Sequence, residues 1–88
     1  MFVVAHHKIS DQTGFWNSVK QTMPNIPAGM KVHQVLPNAD GSSAICLWES
    51  DSVDKVKKLV DTSVGKFSNN SFFEVAQKSA VGLPGSSK

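Results

Sequence analysis

The first run of apolar residues, FVVAHHKI at positions 2–9, is β-branched and aromatic where it begins and closes at Ser10-Asp11, which predicts a strand followed by a helix start. Phe15, Trp16, Val19, Met23 and Ile26 then recur at spacings of mainly three and four, the stripe of an amphipathic helix that Pro24 and Pro27 end. Gly29 leads into MKVHQVL, an alternating second strand, and PNADG supplies turn residues before a third strand, SAICLWE. Asp51 or Ser52 caps the next helix, in which Val53, Val56, Leu59, Val60 and Val64 share one side while Asp54, Lys55, Lys57, Lys58 and Asp61 form the wet one. Gly65 marks its end, FSNNS turns the chain, and FFEVA is a fourth strand. The boundaries that follow are a single domain over residues 1–80 and a Gly-, Pro- and Ser-containing tail over 81–88, expected to be flexible.

The order β-α-β-β-α-β with right-handed crossovers predicts an α+β fold of the ferredoxin-like plan, a four-stranded antiparallel sheet with two helices on one face. In such a sheet one face packs on the helices and the other is normally polar. The run Ala44 to Trp48 breaks that rule, and strands one and four add Phe2-Val3-Val4-Ala5 and Phe72-Phe73. Three of four strands are thus apolar on both phases. Such a second face marks an interface or a ligand groove, and covering several hundred Å² of it contributes on the order of 10 kcal/mol gross. Its simplest cover is the same face of a second copy, giving a homodimer in which two sheets close into a dimeric α/β barrel. The competing arrangement is a monomer whose tail folds over its own sheet.

Large aliphatics suggest that Val3, Ala5, Ile45, Leu47, Phe73 and Val75 face the helices. The opposite face then receives Phe2, Val4, His6, Ala44, Cys46, Trp48, Phe72 and Glu74. His6, Cys46, Trp48, Phe72 and Glu74 become the candidate ligand-binding residues, polar or reactive groups and aromatic rings in an apolar enclosure. A bulge would exchange the phases.

Composition narrows the partners. The 88 residues carry 9 Lys+Arg against 7 Asp+Glu, a formal charge of +2, with the lysines scattered, so no basic stripe for nucleic acid is present. Aromatics are not interleaved with basic residues as in RNA-binding sheets. With one cysteine, Cys46, no internal disulfide forms, and a reducing, cytoplasmic setting fits. The short run Phe2 to Ala5 matches neither a secretory signal nor a membrane span.

His6 and His7 point to opposite faces of one strand and cannot share a metal from it. No metal is expected; one that did bind would draw on His6, His7 or His33, with help from Cys46, Glu49 or Glu74. Cys46 beside a histidine has the elements of a nucleophile and its base, but inside AICLW it reads more readily as a small buried hydrophobe with a protonated thiol. Glu74, between Phe73 and Val75, would act as an acid or base if buried and unpaired, and is an ordinary edge carboxylate if it faces water. Neither a G-x-S-x-G elbow nor a glycine-rich phosphate loop is present, and the sequence requires no cofactor.

Residues 42–75 resemble the small dimeric α/β-barrel proteins, and among them the nickel-binding-protein-like group. These carry a strand of the kind AFCLxEA, a helix beginning near aVxxV, a glycine and a closing strand ending in EV; the matching residues are Ala44 to Leu47, Glu49, Val53, Val56, Gly65 and Glu74-Val75. The first half matches through a histidine near the end of strand one, His6 or His7. The resemblance implies a homodimer of ferredoxin-like subunits. Metal-binding members place histidines on the second helix near its glycine, where this chain has Val60 and Val64, so donors for such a site are missing. The wider superfamily includes cofactor-independent monooxygenases, isomerases and cyclases, and shared fold transfers none of these activities.

The function expected is therefore binding of a small apolar or aromatic molecule in a pocket on the sheet face of a homodimer. One alternative is a cofactor-independent enzyme that moves protons with a strand histidine and Glu74; the other is a metal-binding protein.

Overall fold

The computed structural model describes residues 1–84. Of the 81–88 tail, Val81 to Pro84 carry neither helix nor strand, and residues 85–88 lie outside the described residues. The elements follow the expected order: β1 (Phe2–Ile9), α1 (Gln12–Thr22), β2 (Lys31–Pro37), β3 (Ser43–Glu49), α2 (Val53–Val64) and β4 (Ser68–Glu74). A single 3₁₀ turn, Met23–Asn25, follows α1, where Pro24 has no N–H to continue the α pattern.

Each helix starts where a side chain takes up an orphan amide. Asp11 Oδ1 accepts from Gly14 N at 3.0 Å, and Ser52 Oγ accepts from Lys55 N at 3.0 Å. The β2–β3 connection turns at Gly41, whose φ of +79° is left-handed, and Asp40 and Asn38 side chains accept from the amides of Ser42 and Ser43.

The strands form one antiparallel sheet in the order β2-β3-β1-β4, so the chain has the ferredoxin-like α+β fold. SAICLWE is a central strand, which accounts for part of its two-sided apolarity. Registers fix the faces. Val3 lies opposite Trp48, Ala5 opposite Cys46 and Phe72, and His7 opposite Ala44 and Asn70. Val3, Ala5, Cys46 and Trp48 join Phe15 of α1 and Val56, Val60 and Val64 of α2 in one buried cluster, so both helices cover this face.

The phase of β3 is therefore the reverse of the sequence expectation: Ala44, Cys46 and Trp48 face the helices, while Ile45 and Leu47 line the open face. β4 is exchanged too, with Phe72 packing on the helix-side core and Phe73, opposite Val4, on the open side. The physical reason lies at the strand ends. Ser43, Ile45, Leu47 and Glu49 share a phase, and the outer phase is the one that carries the polar termini. β4 also begins at Ser68 rather than Phe72, because pairing with β1 from Ile9 to Val3 outweighs the turn preference of SNNS.

Candidate functional site

On the open face, Val4 stands between Leu47 and Phe73 in one cross-strand row, and Leu36 lies opposite Ile45 in the next. Leu36, Ile45 and Phe73 are 56%, 42% and 58% exposed, large apolar side chains left in water by a single chain. His6 lies in the same row as Ile45 and is exposed. At the end of this face the register shift between Val32 and Gln34 puts His33 at a bulge. His33 Nε2 donates to Glu49 Oε1 at 2.8 Å and its ring lies 5.6 Å from that of Phe2. That hydrogen bond holds the Glu49 carboxyl below the ordinary carboxylate range.

The other face holds a half-open cleft of about 40 Å³ between sheet and helices. Val32 and Val35 of β2, Val19 of α1, Met23 of the 3₁₀ turn, and Leu59 and Val60 of α2 give it apolar walls; His7, Cys46 and Trp48 form its floor. Of the five ligand-binding candidates, the structure brings Cys46 and Trp48 together here. Phe72 packs nearby in the core, His6 lies on the opposite face of the sheet, and Glu74 is exposed at the end of β4 opposite Val3. Placing all five on one face was wrong by the phase of β3 and β4. Nor are His6 and Glu74 placed to share a proton-transfer step.

The chemistry of the cleft centres on His7, which the sequence marked as a metal donor and as one of the two strand-one histidines of the family resemblance. His7 is 2% exposed, opposite Ala44 on β3 and Asn70 on β4. Its Nδ1 lies 2.7 Å from Asn70 Oδ1 and its Nε2 3.2 Å from Cys46 Sγ. The protons in this chain can be assigned. Asn70 Nδ2 donates to Asp61 Oδ1 of α2 at 3.3 Å and to the Ser68 carbonyl at 3.4 Å, both acceptors only, so the amide oxygen must face His7. The Ser68 hydroxyl lies 2.8 Å from the same oxygen and 3.1 Å from the Val64 carbonyl, two acceptors that compete for its single proton. Nδ1–H of His7 is then the donor to Asn70, Nε2 carries the lone pair, and the Cys46 S–H donates to it.

Burial lowers the His7 pKa more than the Asn70 hydrogen bond raises it, and His6 next along the strand adds to the lowering. Burial pushes the Cys46 thiol up to about 12. The resting pair is thus a neutral thiol and a neutral imidazole. One further group is unsettled: the Trp48 Nε1–H is buried and has no hydrogen-bond partner among the described residues. A buried donor left in that state costs about 1–3 kcal/mol.

The pair sets a pH dependence. Folded His7 resists protonation, so below its ordinary value of 6.5 the unfolded chain takes up a proton first and stability is lost as pH falls towards the folded value. The folded thiol resists ionisation, so stability present below the ordinary thiol range is lost as pH climbs towards about 12. Urea unfolding from about pH 7.5 to 5 is expected to show a declining free energy whose slope is shallower in His7→Gln. Parallel slopes would mean that His7 is not buried neutral.

Among the described residues no group of three or more His, Cys, Asp or Glu side chains gathers as a metal site, and His6, His7 and His33 stand apart on the sheet. No helix among these residues is long and apolar enough to cross a membrane. No family model, curated protein or solved structure matches the chain.

Proposed function

We propose that this chain works as a homodimer joined through its open sheet faces, and that each protomer binds a small apolar molecule carrying a hydrogen-bond acceptor in the cleft between sheet and helices. The observation that carries the binding reading is the apolar cleft between sheet and helices, one of whose lining residues, Trp48, has a buried indole N–H without a partner among the described residues. Apolar walls supply affinity and a few polar groups supply orientation, the usual division of labour in a ligand site. The cleft volume of about 40 Å³ holds only the core of such a molecule, and the exposed thioether of Met23 at its margin is flexible enough to widen it. The dimer rests on Leu36, Ile45 and Phe73, and the likeness of residues 42–75 to dimeric α/β-barrel proteins points the same way. A cytoplasmic setting suits the lone thiol.

Native mass spectrometry, on protein purified without chelator or affinity metal, tests both halves. Two chains carrying a small organic adduct are the expected result, and Val35→Phe, which fills the cleft from its β2 wall, is expected to lose the adduct and keep the dimer. A bare single chain would overturn the proposal.

A further inference from the structure

We infer that Cys46, His7 and Asn70 form a nucleophile–base–orienter relay that accepts an acyl group from a small thioester or ester lodged in the cleft. The inference rests on the cleft-binding reading and names the chemical class of its ligand. Three strands supply the three groups: β3 the thiol, β1 the imidazole and β4 the amide, in register on one face. The Cys46 Sγ to His7 Nε2 distance of 3.2 Å and the His7 Nδ1 to Asn70 Oδ1 distance of 2.7 Å are hydrogen-bond contacts in the order nucleophile, base, orienter. The Asp61 carboxylate and the Ser68 carbonyl accept from the amide that selects the tautomer, leaving the imidazole lone pair on the thiol side.

Trp48 adds an unpaired donor on the strand that carries the thiol. Its indole lines the same cleft two residues along β3 from Cys46, is 6% exposed, and keeps an unpaired donor. An acyl oxygen is an acceptor that would satisfy it.

The step balances with the groups present. Cys46 Sγ bonds to the acyl carbon while its proton passes to His7 Nε2. The tetrahedral adduct collapses by breaking the bond to the leaving sulfur or oxygen, which takes the proton from His7 and departs as a thiol or alcohol. Water then attacks the acyl-cysteine, giving a proton to Nε2, and the carboxylic acid leaves as Sγ is reprotonated. No oxidant or metal is needed.

The groups facing His7 are Cys46 from β3, Asn70 from β4 with Asp61 of α2 behind it, and the uncharged Phe15 ring of α1 at 5.3 Å; His6, next along β1, points to the opposite face and acts on His7 only through its charge. None places a permanent positive charge beside the thiol. A relay and an inert buried thiol therefore predict different pH profiles. With the relay, acylation runs from the neutral pair and is flat from just above the His7 pKa through the neutral range. Without it, only the thiolate reacts, and the rate climbs about tenfold per pH unit towards a thiol pKa near 12.

The test uses S-ethyl thioacetate as acyl donor and 2-pentanone, its unreactive ketone counterpart, as binding probe, on the intact chain. Expected are ketone-induced NMR shifts at Trp48 and Val35, gain of one acetyl group on Cys46 by intact and peptide mass analysis, a flat pH profile, and an acetylation rate about a hundredfold lower in His7→Gln. Cys46→Ala is the blank. Should His7→Gln fail to fold, the profile of the unaltered protein decides alone. Ketone binding without acetylation, or with a rate that climbs with pH throughout, overturns the relay and leaves the binding reading standing. Absence of both ketone shifts and acetylation overturns the two together.

Discussion

Phe15→Ala is expected to lower the unfolding free energy by about 3–5 kcal/mol, measured by urea denaturation at neutral pH. Phe15 is 1% exposed, and it is the only fully buried aromatic that α1 contributes among the described residues. Its ring lies 5.3 Å from the His7 imidazole and packs edge-on to Trp16 at 4.9 Å, so truncation opens a cavity directly over the thiol–imidazole pair. The surroundings have little means of closing it. Ala5 supplies no bulk, and Val56, Val60 and Val64 of α2 already pack in the same buried cluster. In a domain of this size, whose total stability is about 5–15 kcal/mol, that loss is a large fraction of the whole. A second consequence follows at His7: water reaching the imidazole removes the cause of its lowered pKa, so the acid-side slope of stability should flatten in the same variant. A loss below about 1 kcal/mol would mean that α1 is not docked through Phe15.

The elements were legible because both helices carry apolar stripes at spacings of mainly three and four and are bounded by Asp11, Ser52 and Pro24, signals that act within a few residues. β1 and β3 were legible down to their end residues. What was not legible depends on pairing partners far along the chain. Residues 44–48 are apolar on both phases, so alternation could not say which side faces the helices; the polar ends Ser43 and Glu49 on the phase of Ile45 and Leu47 were the available signal. Asn69 and Asn70 have turn character, and only the neighbouring β1 makes them strand. Missing that extension hid Asn70, and with it the partner that turns His7 from a metal donor into the centre of a hydrogen-bonded chain. The open-face stripe was anticipated, although its members differ: Ile45, Leu47 and Phe73 occupy it in place of Cys46, Trp48 and Phe72.

The proposed dimer and the proposed ligand use opposite faces of the sheet, and that separation can be tested. Ile45→Asp combined with Phe73→Asp is expected to turn a dimer into a folded single chain, read by light scattering at micromolar concentration with an unchanged far-ultraviolet circular dichroism spectrum. Both side chains are half out of water in one protomer, at 42% and 58% exposure, so the fold loses little. The dimer loses much more. Covering the stripe contributes on the order of 10 kcal/mol gross, which is the same order as the about 4–15 kcal/mol that association costs in lost freedom. Each buried aromatic or aliphatic removed takes away about 1.5–3 kcal/mol of that gain, and the twofold axis doubles every substitution and brings four carboxylates together. A double variant that remains dimeric would place the interface elsewhere. Because the cleft opens on the helix side of the sheet, the single chain should still bind its ligand and still hold Cys46 against His7. Loss of ligand together with loss of the dimer would instead put the pocket between the two sheets, and the Trp48 indole would then have to find its acceptor without a guest in the cleft.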